Sequence, residues 1–212
     1  MILRTLIPGL ALIALLVAGL PSRPCLADEP VVGSLTDEER QAGFKPMFNG
    51  RDWTGWRFSG MKDGDPLPEN WVIENGLIRV TGGGRPHLIT ADQYANFEMR
   101  FEWRSVRDKY NSGFFIRTGP NGGTNQLNLA KGAEGKFIGG KVEGDKAVPE
   151  LQKPAGEWNE WRVRVTGDKV AFECNGKPAW EATGLKPEKG QIGLQAEGAA
   201  LEFRNLRILA LP

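Results

Sequence analysis

FEMRFEW, residues 97–103, alternates apolar Phe97, Met99, Phe101 and Trp103 with charged Glu98, Arg100 and Glu102. A period of two is the signature of a strand with one face in a core and the other toward water. The pattern recurs outward in both directions. Trp161, Val163 and Val165 alternate with Arg162 and Arg164, and Val170, Phe172 and Cys174 follow with the same period. Asn175-Gly176 then supplies a type I′ hairpin turn, as Asn75-Gly76 does between WVIE and LIRV. Ile192, Leu194 and Ala196 form another strand. At the end of the chain Leu201 and Phe203 have one parity and Leu206 and Ile208 the other, which predicts a bulge at Arg204-Asn205.

Many short strands separated by turn signals predict an all-β sandwich or barrel. Only 35–43 reads as helix, with Thr36 as N-cap, Glu39 as its capping-box partner and Gly43 as the stop. Residues 118–156 are rich in Gly, Lys and Pro. Their apolar anchors are Leu127, Leu129, Phe137 and Ile138, so one or two strands carrying long loops are expected there.

The first 27 residues read as a signal peptide: Arg4, an apolar run from Leu6 to Leu20, Pro21, then Cys25-Leu26-Ala27 before a cut after Ala27. The apolar run is short and broken by Pro8 for a membrane anchor, and Arg23-Pro24 is a poor lipobox before Cys25. Residues 28–34 are a connector, and 35–212 form one domain. The expectation is an exported protein, periplasmic or extracellular.

The chain holds 27 basic and 26 acidic residues, and removing Arg4 and Arg23 leaves 25 and 26. A near-neutral chain has no electrostatic footprint for nucleic acid or for an anionic membrane, and it suits an uncharged partner such as a carbohydrate. Once Cys25 is removed, Cys174 alone remains, so no intrachain disulfide and no cysteine metal site is expected. Cys174 shares a strand face with Val170 and Phe172 and reads as a small core residue.

LTDEERQAGFKPMFNGRDWTGW at 35–56, WVIENGLIRV, YANFEMRFEWR, NSGFFIR, KPAGEWNEWRVRV, NGKPAWE, KGQIGLQAEG and LEFRNLRI follow one another in order. The series covers nearly all of 35–209. It resembles the domain-of-unknown-function 1080 family, also termed 3-keto-disaccharide hydrolase domains. The resemblance implies a concanavalin A-like jelly-roll sandwich and an exported glycoside-processing protein. It further implies keto-sugar chemistry on the concave sheet face, by hydrolysis or by lyase elimination followed by hydration.

One motif departs from the family. Where members read roughly Tyr-Glu-x-Gln-x-x-Asp, this chain reads NQLNLAK at 125–131. Gln126 takes the place of the acid, Asn128 that of the glutamine and Lys131 that of the aspartate. The resemblance allows a divalent cation as cofactor. The amide at Gln126 weakens that expectation, and no metal ligands are assigned.

A ketone at carbon 3 acidifies the hydrogen on carbon 2. Its removal gives an enolate that expels the glycosidic oxygen from carbon 1. This needs a base, a stabiliser for the enolate oxygen and an acid for the leaving group. Glu102, on the polar face of 97–103, is the candidate base, against a strand carboxylate paired with a neighbouring arginine. Arg117, ending FFIR, is the candidate oxyanion stabiliser, against a structural ion pair. Gln126 is grouped with these two, and by parity it and Asn128 face the same way and would orient sugar hydroxyls. Asn111, Arg104, Trp53 and Trp56 complete the substrate-binding set, Trp53 and Trp56 by stacking on a sugar face. Trp103 and Trp161 share parity with core residues and are assigned to the core. His87, the one histidine, follows Gly82-Gly83-Gly84-Arg85-Pro86 and reads as a surface loop residue. Glu157 is expected to tie down a loop beside a packed Trp158. The alternative to an enzyme is a non-catalytic carbohydrate-binding module on the same fold, and a structural domain of a larger exported complex is a third reading.

Overall fold

The computed structural model describes residues 35–62, 64–198 and 200–212. The predicted leader and connector lie outside the described residues. The helix α1 runs over Asp37–Ala42, and its ends are those the sequence predicts. Thr36 and Glu39 form the reciprocal capping box, and Gly43 closes the helix in the left-handed region at φ 90°.

Fourteen strands follow among the described residues: β1 Lys45–Pro46, β2 Trp56–Phe58, β3 Trp71–Glu74, β4 Leu77–Val80, β5 Leu88–Thr90, β6 Phe97–Ser105 and β7 Gly113–Thr118. The rest are β8 Gln126–Asn128, β9 Phe137–Ile138, β10 Asn159–Thr166, β11 Lys169–Cys174, β12 Lys177–Ala182, β13 Gln191–Leu194 and β14 Leu201–Ala210. They form two antiparallel sheets of a jelly-roll sandwich. The first has the order β12-β11-β10-β6-β14-β4-β3, with β1 added on β14, and the second has the order β2-β5-β13-β7-β8-β9.

Alternation does the work of folding. Phe97, Met99, Phe101, Trp103, Trp161, Val163 and Phe172 from the first sheet meet Leu88, Phe114, Ile116, Leu127, Ile192 and Leu194 from the second in one buried core. Phe101 and Phe114 bridge the sheets with ring centroids 4.6 Å apart. Truncating such a ring to alanine costs about 3–5 kcal/mol. Asn75-Gly76 and Asn175-Gly176 both take positive φ, as their hairpins require. The β6–β14 register slips between Arg204 and Arg207, with Asn205 at φ 53°, which is the predicted bulge. Cys174 is buried, and burial pushes its thiol up to about 12, so it is an inert core residue.

The region 118–156 carries two short strands, β8 and β9, and a 3-10 turn at Pro149–Leu151. It is pinned more firmly than its composition suggests. The buried Glu134 carboxylate accepts from Tyr110 Oη and from Gly132 N at 2.9 Å, while its carbonyl takes Val148 N at 2.8 Å. Burial, then the bond to Glu134, raises the Tyr110 phenol far above its ordinary range. No helix among the described residues is long and apolar enough to cross a membrane.

Candidate functional site

The candidate residues divide between the two outer faces of the sandwich. Glu102 lies on β6, in the first sheet, where its carboxylate accepts from Arg204 Nε at 2.7 Å and Asn205 Nδ2 at 2.8 Å. Arg104 is on the same face, bound to Glu202 at 2.6 Å, and Trp158 stacks with Arg104 and Arg204 at 4.5 and 4.1 Å. Gln126 and Asn128 lie on β8, in the second sheet. The strand alternation is right for both groups, but each sheet has its own outer face, so Glu102 and Gln126 do not share a site.

The outer face of the first sheet is a lattice of ion pairs. Glu98 meets Arg100, Arg162 and Arg164, Glu202 meets Arg79 and Arg104, and Arg207 joins Glu39 to Glu160. Burial alone would raise the Glu98 and Glu202 carboxyls, but the arginine hydrogen bonds outweigh it and hold both below the usual range. This is the arginine-paired arrangement that stood against Glu102 as a base.

Arg117 is also corrected. Its backbone takes φ 45°, so strand alternation stops there. Its guanidinium is buried and donates to Ala95 O at 2.6 and 2.8 Å, Gly167 O at 2.6 Å, Pro187 O at 3.3 Å and Asn96 Oδ1 at 3.2 Å. The side chain ties three loops together. Burial lowers its pKa, the expected effect of desolvating a cation. Trp56 is buried and donates from Nε1 to Met47 O at 2.6 Å, and Trp53 packs against Phe48 and Phe58 at 6.2 and 5.2 Å. Both tryptophans belong to the margin of the core. Glu157 is exposed, and its loop is held instead by the buried Asn159, which accepts Lys153 N at 2.7 Å.

The outer face of the second sheet carries a different set. Cross-strand pairing sets Gly193 beside Ile89 and Phe115, and Phe115 beside Gln126. One step along, His87, Gln195, Gly113 and Asn128 make the next row, because Leu88 pairs with Leu194, Gln195 N bonds Gly113 O at 2.8 Å and Gly113 pairs with Asn128. Gly113 leaves room that Gln126 fills. A Cβ there would lie 2.2 Å from Gln126 Cδ. The Gln126 amide donates to Gln195 Oε1 at 3.0 Å and to Ser112 O at 3.3 Å. Asn128 and Gln195 are half-buried. Asn111 is half-buried on the loop before β7, beside Gly198.

His87 is not a surface loop residue. It immediately precedes β5, is 5 % exposed, and packs on Phe115 with ring centroids 5.2 Å apart. Burial, then the nearby Arg85, lowers its pKa to about 4, so the imidazole is uncharged at neutral pH. Gln195 and Glu197, absent from the sequence-derived set, continue the alternation of Gln191 and Gly193 opposite Ile192, Leu194 and Ala196. That parity was the available signal. Glu197 is half-buried and makes no hydrogen bond or ion pair among the described residues.

Among the described residues no three His, Cys, Asp or Glu side chains are grouped to hold a metal ion. On this face Gln126 and Gln195 are neutral amides bonded to each other, and His87 Nδ1 already accepts Ala196 N at 3.3 Å.

A family model described as the 3-keto-alpha-glucoside-1,2-lyase-like domain matches residues 43–209. A Bacteroides thetaiotaomicron protein named 3-keto-disaccharide hydrolase is 25% identical over 80% of this chain and 79% of its own length. Among solved structures, a conjectured glycosyl hydrolase from Parabacteroides distasonis ATCC 8503 superposes with a TM-score of 0.67 at 21% identity, covering 85% of this chain and 100% of that one. The Bacillus licheniformis beta-glucanase gives 0.56 at 14% identity, covering 80% and 97%. These two structures share the sandwich fold.

Proposed function

This chain belongs to the 3-keto-alpha-glucoside-1,2-lyase-like domain family, and we propose that it cleaves glycosides oxidised to a ketone at carbon 3, bound on the outer face of the second sheet. One observation carries the choice of face. Gln126 on β8 and Gln195 just after β13 meet across Gly113 of β7, whose missing side chain lets the amides meet, and His87 lies in the same row on the far side of Gln195. Fixed amides and an uncharged imidazole suit the hydroxyl groups of a neutral sugar. The relative named 3-keto-disaccharide hydrolase supports the substrate class, and the apolar leader within residues 1–27 supports placing the reaction outside the cytoplasm.

Glu197 is the base in this reading, since it continues the parity of Gln195 beyond the end of β13 and it carries no partner among the described residues. It takes the proton from carbon 2, and the C2–H electron pair forms C2=C3 as the ketone becomes an enolate. The enolate then collapses. The ketone re-forms, C1=C2 forms, and the C1–O bond breaks with its pair on the leaving oxygen, which regains a proton. Water adding across C1=C2 completes a net hydrolysis, and release before that step is a lyase outcome.

The test is aglycone release from a panel of 3-keto-glucosides by purified protein, with deuterium uptake at carbon 2 followed by NMR. Release with uptake is expected, and neither with any member of the panel would overturn the proposal. The amide at Gln126, where family members carry an acid, favours a second reading as a non-catalytic carbohydrate-binding module. Saturable binding of the same glucosides without release or exchange would select it.

A further inference from the structure

Two backbone contacts and three ring contacts fix His87. Its backbone N–H donates to Ser59 Oγ at 2.9 Å, and its carbonyl accepts Ser59 N at 2.9 Å. Its ring lies on Phe115, and the loop at Gly122 crosses over it so closely that a Cβ there would sit 2.9 Å from His87 Cδ2. The N–H of Ala196 donates to Nδ1. A nitrogen that accepts carries no proton, so the proton of the neutral ring is on Nε2. Nε2 has no partner among the described residues, yet it is absent from the fully enclosed side-chain atoms left without a hydrogen bond, such as Trp103 Nε1 and Gln191 Oε1. The N–H is therefore not wholly enclosed, on a residue 5 % exposed in the same row as Gln195.

Resting on the functional reading above, we propose that the Nε2–H of His87 is the donor that binds the carbon-3 oxygen of the substrate and stabilises it as the enolate forms. The role sought in Arg117 thus passes to a residue on the right face. A donor held rigidly where charge develops need not reorganise during the reaction. The ring is uncharged at neutral pH, so it donates a hydrogen bond to the ketone without surrendering its proton, and a neutral imidazole can serve as an electrophile in this way. The proton that moves is the carbon-2 proton taken by Glu197, and His87 ends the cycle in the tautomer in which it began.

The experiment uses the intact domain with 15N-labelled histidine. At pH 7 the ring should give the Nε2-protonated neutral pattern. Saturation with a carbon-linked 3-keto-glucoside, which has no cleavable oxygen bridge, should move the Nε2–H proton downfield. His87→Ala should lower kcat by about 10²–10³-fold with KM little changed, and His87→Gln, which keeps a donor, should recover part of the loss. An Nδ1-protonated or doubly protonated ring, or an Nε2–H unmoved in the saturated complex, overturns the assignment while substrate cleavage stands. The NMR readout needs no substituted protein, so a poorly folded alanine variant does not decide the matter. A protein that neither binds nor cleaves any 3-keto-glucoside overturns the functional reading and this inference together.

Discussion

Gln126 reaches across the bare backbone of Gly113 to donate its amide N–H to Gln195 Oε1 at 3.0 Å. Gly113→Ala should therefore act on a side chain of the neighbouring strand. Its methyl group would occupy the space of Gln126 Cδ, displacing the amide from both Gln195 and Ser112 O. Sugar binding should weaken by roughly tenfold, the value of one good hydrogen bond to a fixed partner. Calorimetry with a 3-keto-glucoside checks this, and unchanged affinity would remove the amide pair from the site.

Arg117→Ala should damage the fold. It strips a buried donor from the carbonyls of Ala95, Gly167 and Pro187. Each buried carbonyl left without a partner costs about 1–3 kcal/mol, so urea denaturation should show a loss of several kcal/mol. Arg117→Lys should not restore it, because one ammonium cannot span carbonyls on three loops.

The pH dependence of stability should carry a term from His87. Its folded pKa, about 4, lies below the unfolded value of 6.5. The unfolded chain then binds the extra proton between those values, so stability rises with pH across that window and is lost as pH falls through it. The shift corresponds to a term on the order of 3 kcal/mol. The charged groups nearby, Arg85 and Glu197, are common to wild type and His87→Gln. Subtracting the two denaturation curves at pH 4.5 and 7.5 isolates the term, and parallel curves would contradict a buried neutral imidazole.

Glu102→Gln should leave turnover of 3-keto-glucosides at the wild-type level, since its carboxylate faces away from the second sheet. It removes one charge from a half-buried pair with Arg204, which should cost about 1 kcal/mol of stability. A collapse of kcat in a folded variant would return the base to the first sheet.

Export predicts a mature protein beginning at Asp28. N-terminal sequencing of material from the periplasm or medium of a Gram-negative host checks it, and soluble cytoplasmic protein beginning at Met1 would refute it.

The alternation at 97–103 and 161–165, the Asn-Gly turns and the capping box made the sandwich legible because each is a local rule. The site was less legible for a reason the same rule contains. Alternation tells that Glu102 and Gln126 point out of the core, but both sheets have an outside, and only long-range pairing assigns a strand to one of them. At Arg117 a positive φ interrupts the alternation of its strand, which the residue's place at the end of FFIR does not announce. His87 sits behind three glycines, an arginine and a proline, and nothing local announces that the next three residues are a strand whose neighbours bury the ring. Gln195 and Glu197 did carry a readable signal, in the polar half of the pattern around Ile192 and Leu194.

Glu39, in the first helix, caps its own N-terminus and holds Arg207 on the last strand at 2.5 Å. That last strand, β14, runs between β6 and β4 in the middle of the first sheet. A chain made or threaded with its N-terminus leading therefore cannot close early. Its opening helix waits for a partner 168 residues behind it, and β6 and β4 wait for the same strand, Leu201–Ala210, before they are joined. The placing of β14 is the event that completes the sheet. Loosening that strand at Arg207 should be felt at once in the first helix, through Glu39.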